Sequence, residues 1–312
     1  MSVGCSVGDI MEGRKIFNNA KWIIICKVIQ SLLQFVIGMI SARYLGPSNY
    51  GLINYAASIV AFALPIMKLG FDATLVYEFT QNPEKEGEIL GTSLLLNIIS
   101  SIACIFFVFA FVKTVNTDSK TTIIVCFLYS LSLFFSALEM AQYWFQYKLK
   151  SKYPSLIMLF AYVIVSAYKI YLLITQKSVY WFAVVNSLDY GIIGFSLIFF
   201  YIKLSDKRLS FSFNRAKNML RKSKHYILSS LMVVAFQTTD HIMLSTMIGQ
   251  KENGYYTAAV TCNSVTQFIF IAIIDSFRPL ILKNKKEKEY HYDKHYSVRL
   301  LGQNGRGGHK KP

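Results

Sequence analysis

The sequence has little of what an enzyme or a metalloprotein needs. Its five cysteines include no C-x-x-C pair, so neither a zinc site nor a dithiol redox motif is expected. Cys26, Cys104, Cys126 and Cys262 fall inside apolar segments and read as small packing residues. There is no G-x-x-x-x-G-K-[ST] loop, which excludes a chain that is itself an ATP-driven motor. There is no D-x-D pattern either, which weighs against a sugar-nucleotide-dependent glycosyltransferase. No Ser/His/Asp or Cys/His constellation can be assembled, and no cofactor or metal site is expected. Acidic residues are scarce, 17 against 33 basic ones. Residues 1–21 are polar and the first apolar run is too long for a signal h-region, so the first span is expected to act as its own insertion signal.

What the chain does have is a train of long apolar runs. Hydrophobic residues make up 54% of it and the mean hydropathy is +0.39. A helix rises about 1.5 Å per residue, so about 20 residues cross a hydrocarbon core of about 30 Å. Eight runs have that length: 22–42, 50–69, 90–112, 121–143, 155–175, 179–202, 226–248 and 254–282. The fold class expected is all-α, a polytopic transmembrane helical bundle of about eight spans.

In a soluble protein the net charge of +16 would suggest nucleic acid. Its placement says otherwise. One side of the eight-span topology collects Arg14, Lys15, Lys21, Lys68, Lys85, Lys148, Lys150, Lys152, the stretch Lys203–Lys224 and the tail after Leu282. The other side holds Arg43, Lys113, Lys120, Lys177 and Lys251. The positive-inside rule then places both termini in the cytoplasm. Lys203–Lys224 reads as a topology determinant lying next to anionic membrane lipids; about twenty residues between two spans form no nucleic-acid module.

The outer loops, 43–49, 113–120, 176–178 and 249–253, are too short to bury a core, which rules against an external catalytic or receptor domain. Between the second and third spans, residues 72–80 can form a short interfacial helix. Asn82-Pro83 then marks a turn, and Glu84, Glu86 and Glu88 suit the positive end of the next helix. Residues 283–312 lose apolar periodicity, and their His291, His295 and His309 are too irregularly spaced for a metal site.

Ionisable groups at bilayer depth are costly and normally face a partner or a water-filled cavity. Lys27, Gln30, Gln34, Gly38 and Ser41 recur at helical spacing on one face of the first span. The fifth span carries Tyr162, Ser166 and Lys169; the sixth carries Asn186 and Asp189. Glu139 and Gln142 end the fourth, followed by Tyr143-Trp144-Phe145, which reads as an aromatic interface belt. Gln237, Asp240 and His241 lie in the seventh span, where a lysine such as Lys27 or Lys169 could neutralise Asp240. Asp275 and Arg278 in the eighth can neutralise each other. Lys27, Gln30, Gln34, Lys169, Asp189, Gln237 and Asp240 are the candidate cavity residues; Glu139, Asp240 and Asp275 are candidate coupling or ion-pair carboxylates. Lys27 and Lys169 in one cavity would suit a phosphate or pyrophosphate head group.

Four runs together resemble the polysaccharide (O-antigen) flippase family of the multidrug/oligosaccharidyl-lipid/polysaccharide exporter superfamily. They are Ala42-Arg43-Tyr44-Leu45-Gly46-Pro47 with Tyr50-Gly51; Leu69-Gly70-Phe71-Asp72 with Tyr77-Glu78, Asn82-Pro83-Glu84-Lys85 and Gly91-Thr92; Trp144-Phe145-Gln146 with Lys150-Ser151-Lys152-Tyr153; and Asp240-His241-Ile242-Met243-Leu244 with Asn253-Gly254-Tyr255-Tyr256-Thr257-Ala258-Ala259. Their order and spacing run through residues 20–282.

The resemblance implies a bacterial cytoplasmic-membrane carrier that moves undecaprenyl-pyrophosphate-linked oligosaccharide between leaflets, alongside other polysaccharide assembly proteins. It implies two pseudo-symmetric six-helix halves around a cavity, working by alternating access. On that pattern 22–202 is the first half, 203–225 the basic cytoplasmic loop, and 226–282 two helices of the second half. Arginines common in the family before Glu78 and near Asn97 are absent here, as is a basic residue near Thr238. The family usually shows about twelve spans or more, so a C-terminal truncation by an out-of-frame ending is expected, with loss of competence in the chain alone. Two other readings stay open: a cation-coupled multidrug exporter of the same superfamily, and a membrane polysaccharide polymerase or ligase.

Overall fold

The first helix, α1 (Val7–Met67), is 61 residues long and breaks at Gly46, where φ is 70° and ψ 168°. A positive φ is open to glycine without a Cβ penalty, and the ring of the following Pro47 pushes ψ to extended values. The break divides the first two expected spans, so a stretch expected as a loop, 43–49, is a kinked helical joint. The structure is a computed structural model. It describes the backbone of residues 7–263 apart from Asp118 and Asp206, and side chains from Cys26 onward apart from Lys27.

Next comes α2 (Phe71–Gln81), entered through Gly70 at φ 68°. That glycine is needed twice over, because a Cβ there would lie 2.6 Å from the backbone oxygen of Ser223. A 3-10 turn at Pro83–Lys85 leads into α3 (Glu86–Val115). The run Lys120–Tyr147 is built from α4 (Lys120–Ser130), α5 (Ser132–Ser136), a 3-10 turn (Ala137–Met140) and α6 (Ala141–Tyr147). Ser119 caps it by accepting a hydrogen bond from the Thr122 amide, satisfying one of the free donors of a helix start. Then follow α7 (Lys152–Ile174), α8 (Val179–Leu204) and α9 (Phe213–Met247), and the chain is helical again over 250–263.

Among the described residues there is no strand, and six helical runs are long and apolar enough to cross a membrane: Val28–Gln81, Pro83–Val115, Lys120–Tyr147, Lys152–Ile174, Val179–Leu204 and Phe213–Met247. The chain is a membrane protein whose described residues form only helices and their connections. Two of the eight expected spans share Val28–Gln81, and most of the eighth, 254–282, lies outside the described residues. So do Asp275, Arg278 and the tail histidines.

α1 is the central strut, packed against α3, α4, α7 and α9. Its second limb forms one core with α3 and α4 through Tyr55, Ala56, Val60, Met67, Val108 and Val125. A second core gathers Phe71, Phe79, Leu90, Trp144, Phe145, Tyr201 and Met219 near the basic end of the bundle. The outward surfaces are apolar too, as a lipid-facing surface must be; Phe236 on α9 is 92% exposed. Cys26, Cys104 and Cys126 are buried packing residues, while Cys262 is exposed.

Candidate functional site

Ionisable groups gather at three places along the bundle. The first is interior and brings together three residues expected from the sequence. Glu139 sits on the 3-10 turn that interrupts Lys120–Tyr147, buried, with the Ser136 hydroxyl donating to its Oε2 at 3.5 Å. Lys68, at the foot of α1, and Asp189, on α8, are the charges that act on it. Asp189 in turn is coupled electrostatically to Lys169 on α7. The Asp189 Oδ1 atom is buried with no hydrogen-bond partner among the described residues. A buried, unpartnered carboxylate oxygen costs free energy, and inside a span such a group marks a candidate site for a ligand, ion or proton. Lys68 was read in the sequence only as a cytoplasmic-side cation at the end of the second expected span.

The second place is the junction of the Gly46 break with the α9–250 turn. Gly51 and Gly254 let two backbones touch: a Cβ on Gly51 would lie 1.8 Å from the Gln250 carbonyl oxygen, and one on Gly254 1.9 Å from that of Pro47. Asn253 is fully buried and its Nδ2 donates to the Gly51 carbonyl at 2.9 Å. Its Oδ1 lies 3.0 Å from His241 Nδ1, which also meets the Thr257 hydroxyl at 3.3 Å. Asp240 accepts from the His241 amide at 2.9 Å and from the Tyr256 hydroxyl. Among the described residues its partner is thus a tyrosine and not a lysine, because α9 turns it toward the following helix. Asn253 was quoted only as part of a run; nothing in its local chemistry announced a buried amide.

Gln30 is half-buried, whereas Gln34 and Gln237 are exposed, and a Cβ on Gly38 would meet nothing within 4 Å. The stripe expected on the first span thus combines exposed and buried members. Ser41 alone of its described members is buried, and Lys27 lies outside the described side chains.

The third place was not anticipated. The basic stretch expected to lie against lipid is partly taken up inside the protein. Lys222 Nζ lies 2.6 Å from Glu78 Oε1, and Arg215 reaches both Glu78 Oε2 at 3.9 Å and Glu88 Oε1 at 3.0 Å. Glu86 is held by Lys148 and by the Trp144 indole, whose Nε1 donates at 2.6 Å. Residues 207–212 run back along α3: the Ser210 amide donates to the Gly87 carbonyl, and the Ser212 amide to the Thr92 hydroxyl, each at 3.2 Å. Gly87 and Gly91 permit this approach, since a Cβ would lie 2.1 Å from the Arg208 carbonyl oxygen and 2.4 Å from that of Ser210. Trp144 and Phe145 are core residues, 2% and 0% exposed, and not an interface belt. The reason is chemical. The indole N–H finds a buried carboxylate, and the ring packs edge-on to Phe145 and Tyr201.

Among the described residues no group of three His, Cys, Asp or Glu side chains converges as a metal site would. The three ionic places fall within one stretch of chain that matches a model of the polysaccharide biosynthesis protein family over residues 16–285. The chain belongs to that family. Comparison with curated proteins and with solved structures gave no match. For this family member, the glycines of the quoted runs now have a physical role: Gly51 and Gly254 seat the Gly46 joint, while Gly70 and Gly91, together with Gly87 outside those runs, seat the segment 208–223.

Proposed function

We propose that this family member is a membrane transporter, a flippase that carries undecaprenyl-pyrophosphate-linked oligosaccharide across the bacterial cytoplasmic membrane for surface polysaccharide synthesis. Both termini are cytoplasmic in this reading, residues 22–202 form the first half of the exporter, and α9 opens the second. The observation that carries the reading is the interior set Lys169, Asp189, Glu139 and Lys68. It lies between helices that are apolar enough to span, where charge is retained for passage or coupling more often than for stability. Lys169 serves the anionic head group; Glu139 and Asp189 serve a coupling cation.

The test is transport of a fluorescent lipid-linked saccharide in proteoliposomes, read as protection from a membrane-impermeant quencher. Flipping by the wild type that falls at least tenfold in Lys169→Gln supports the reading. Flipping unchanged in Lys169→Gln, or no binding of the labelled lipid-linked saccharide by the wild type, rejects it.

A second reading, a cation-coupled multidrug exporter, draws support from the pairing of Glu139 with Asp189, since two carboxylates suit an amphipathic cation. Efflux of a cationic dye, with no movement of lipid-linked sugar, would select it.

A further inference from the structure

The ion pairs at the basic end join parts of the chain that are far apart. Glu78 lies on α2 and Glu88 on α3, in the first half of the proposed exporter; Arg215 and Lys222 lie on α9, where the second half begins. Any opening between the halves at this end must part them. The two acids are unequal to their surroundings. From Phe213 to Thr239 the chain has no Asp or Glu, yet it carries Arg215, Lys217, Arg221, Lys222 and Lys224. Lys217, Arg221 and Lys224 are exposed. Two carboxylates thus sit against a surface with cations to spare. The Lys222 side chain is itself 46% exposed, so an anion in the surrounding water can reach it without prior unfolding.

Carboxylate and phosphate oxygens ask the same thing of arginine and lysine: charge-assisted N–H donors, in a fork from the guanidinium. A diphosphate brings more negative charge than either carboxylate and can engage the exposed cations as well. We propose that Glu78 and Glu88 are place-holders for the diphosphate of the lipid-linked substrate. At rest they occupy Arg215 and Lys222; an arriving diphosphate takes those two cations, and α9 is released from α2 and α3. This rests on the flippase reading, and it makes the substrate's own head group the key that unlocks the cytoplasmic side. A static structural bridge, by contrast, would be indifferent to diphosphate.

The experiment is a spin-label distance between the exposed positions 84 and 217, as Glu84→Cys with Lys217→Cys, in the full chain with its five native cysteines replaced, in nanodiscs. Undecaprenyl diphosphate in the bilayer, inorganic diphosphate, and orthophosphate at matched ionic strength are compared. The proposal expects a longer-distance population with diphosphate. Response to the lipid alone identifies a membrane-borne ligand, and equal response to the inorganic salt a soluble one. Glu78→Gln, Arg215→Gln and Lys222→Gln each remove part of the latch and should show the longer distance with no ligand, and the two cation variants should need at least tenfold more diphosphate for any further shift. If Glu78→Gln does not fold, Glu88→Gln at the more exposed carboxylate gives a graded form of the same shift. An unchanged distance with every diphosphate, or an unaltered response in Lys222→Gln, overturns the proposal. Lipid-linked sugar transport in the same discs' parent vesicles separates the two ideas: transport without a distance response overturns the place-holder role alone.

Discussion

Lys222 Nζ stands 2.6 Å from Glu78 Oε1, a bond that ties α9 to α2 across 144 residues of sequence. The carboxylate is buried and the ammonium half in water, so the pair is asymmetric. Removing the lysine leaves the buried acid with Arg215 alone; removing the acid leaves the lysine hydrated.

Lys222→Ala should therefore destabilise the folded chain by about 1–2 kcal/mol. That is below the roughly 3–5 kcal/mol typical of breaking a fully buried pair, because water screens one partner. Thermal unfolding in detergent checks this, and a loss that persists unchanged at high salt would contradict an electrostatic origin.

Trp144→Phe keeps the ring packing but removes the indole donor from Glu86. Loss of a hydrogen bond to a charged, buried group costs roughly 1.5–3 kcal/mol. The expected result is a lower unfolding temperature than wild type, partly recovered when Glu86→Gln is added, since a neutral amide has less need of the donor.

Gly51→Ala and Gly254→Ala should each be severe. The added methyl would have to share space with a carbonyl oxygen 1.8 or 1.9 Å away, and neither neighbour is a flexible side chain. Overpacking of this kind costs about 1–3 kcal/mol or more. Gly38→Ala is the control: open space surrounds it, and alanine's better helix propensity should stabilise by up to about 1 kcal/mol. Yield of folded protein on size-exclusion chromatography reads all three.

Lys169→Gln leaves the Asp189 carboxylate without the lysine's charge in the bundle interior. Asp189→Asn alone strands the lysine. The double variant should be less damaging to stability than the two singles added together, with a coupling of about 0.5–3 kcal/mol in a double-mutant cycle. Additive losses would mean the two side chains do not act as a pair.

Much of the fold was legible because its signal is long-range and coarse. A span must be apolar for about 20 residues, and no local ambiguity hides that. The grouping of Lys169, Asp189 and Glu139 was only partly legible: periodicity gives the face of one helix, not which faces of three helices meet. The ion pairs of Glu78, Glu86 and Glu88 were not legible at all. A basic loop beside a membrane and a basic segment folded back on acidic helix ends have the same composition. What tells them apart is the pair Gly87 and Gly91, which leaves room for a backbone; Gly91 was read only as family likeness and Gly87 was not singled out. Trp144 misled for a related reason, since an interfacial indole and a buried one with a carboxylate partner look alike in sequence.

The break at Gly46 has a mechanical meaning. A continuous helix of 61 residues would be a rigid rod of about 90 Å at 1.5 Å per residue. Interrupted, it becomes two arms on a fulcrum, and the fulcrum is gripped from outside: Gly254 bears on the Pro47 carbonyl and Asn253 on that of Gly51. The start of the helix at 250–263 thus bears on the kink itself, so any change in the packing of Asn253 or Gly254 acts directly on the angle between the two arms.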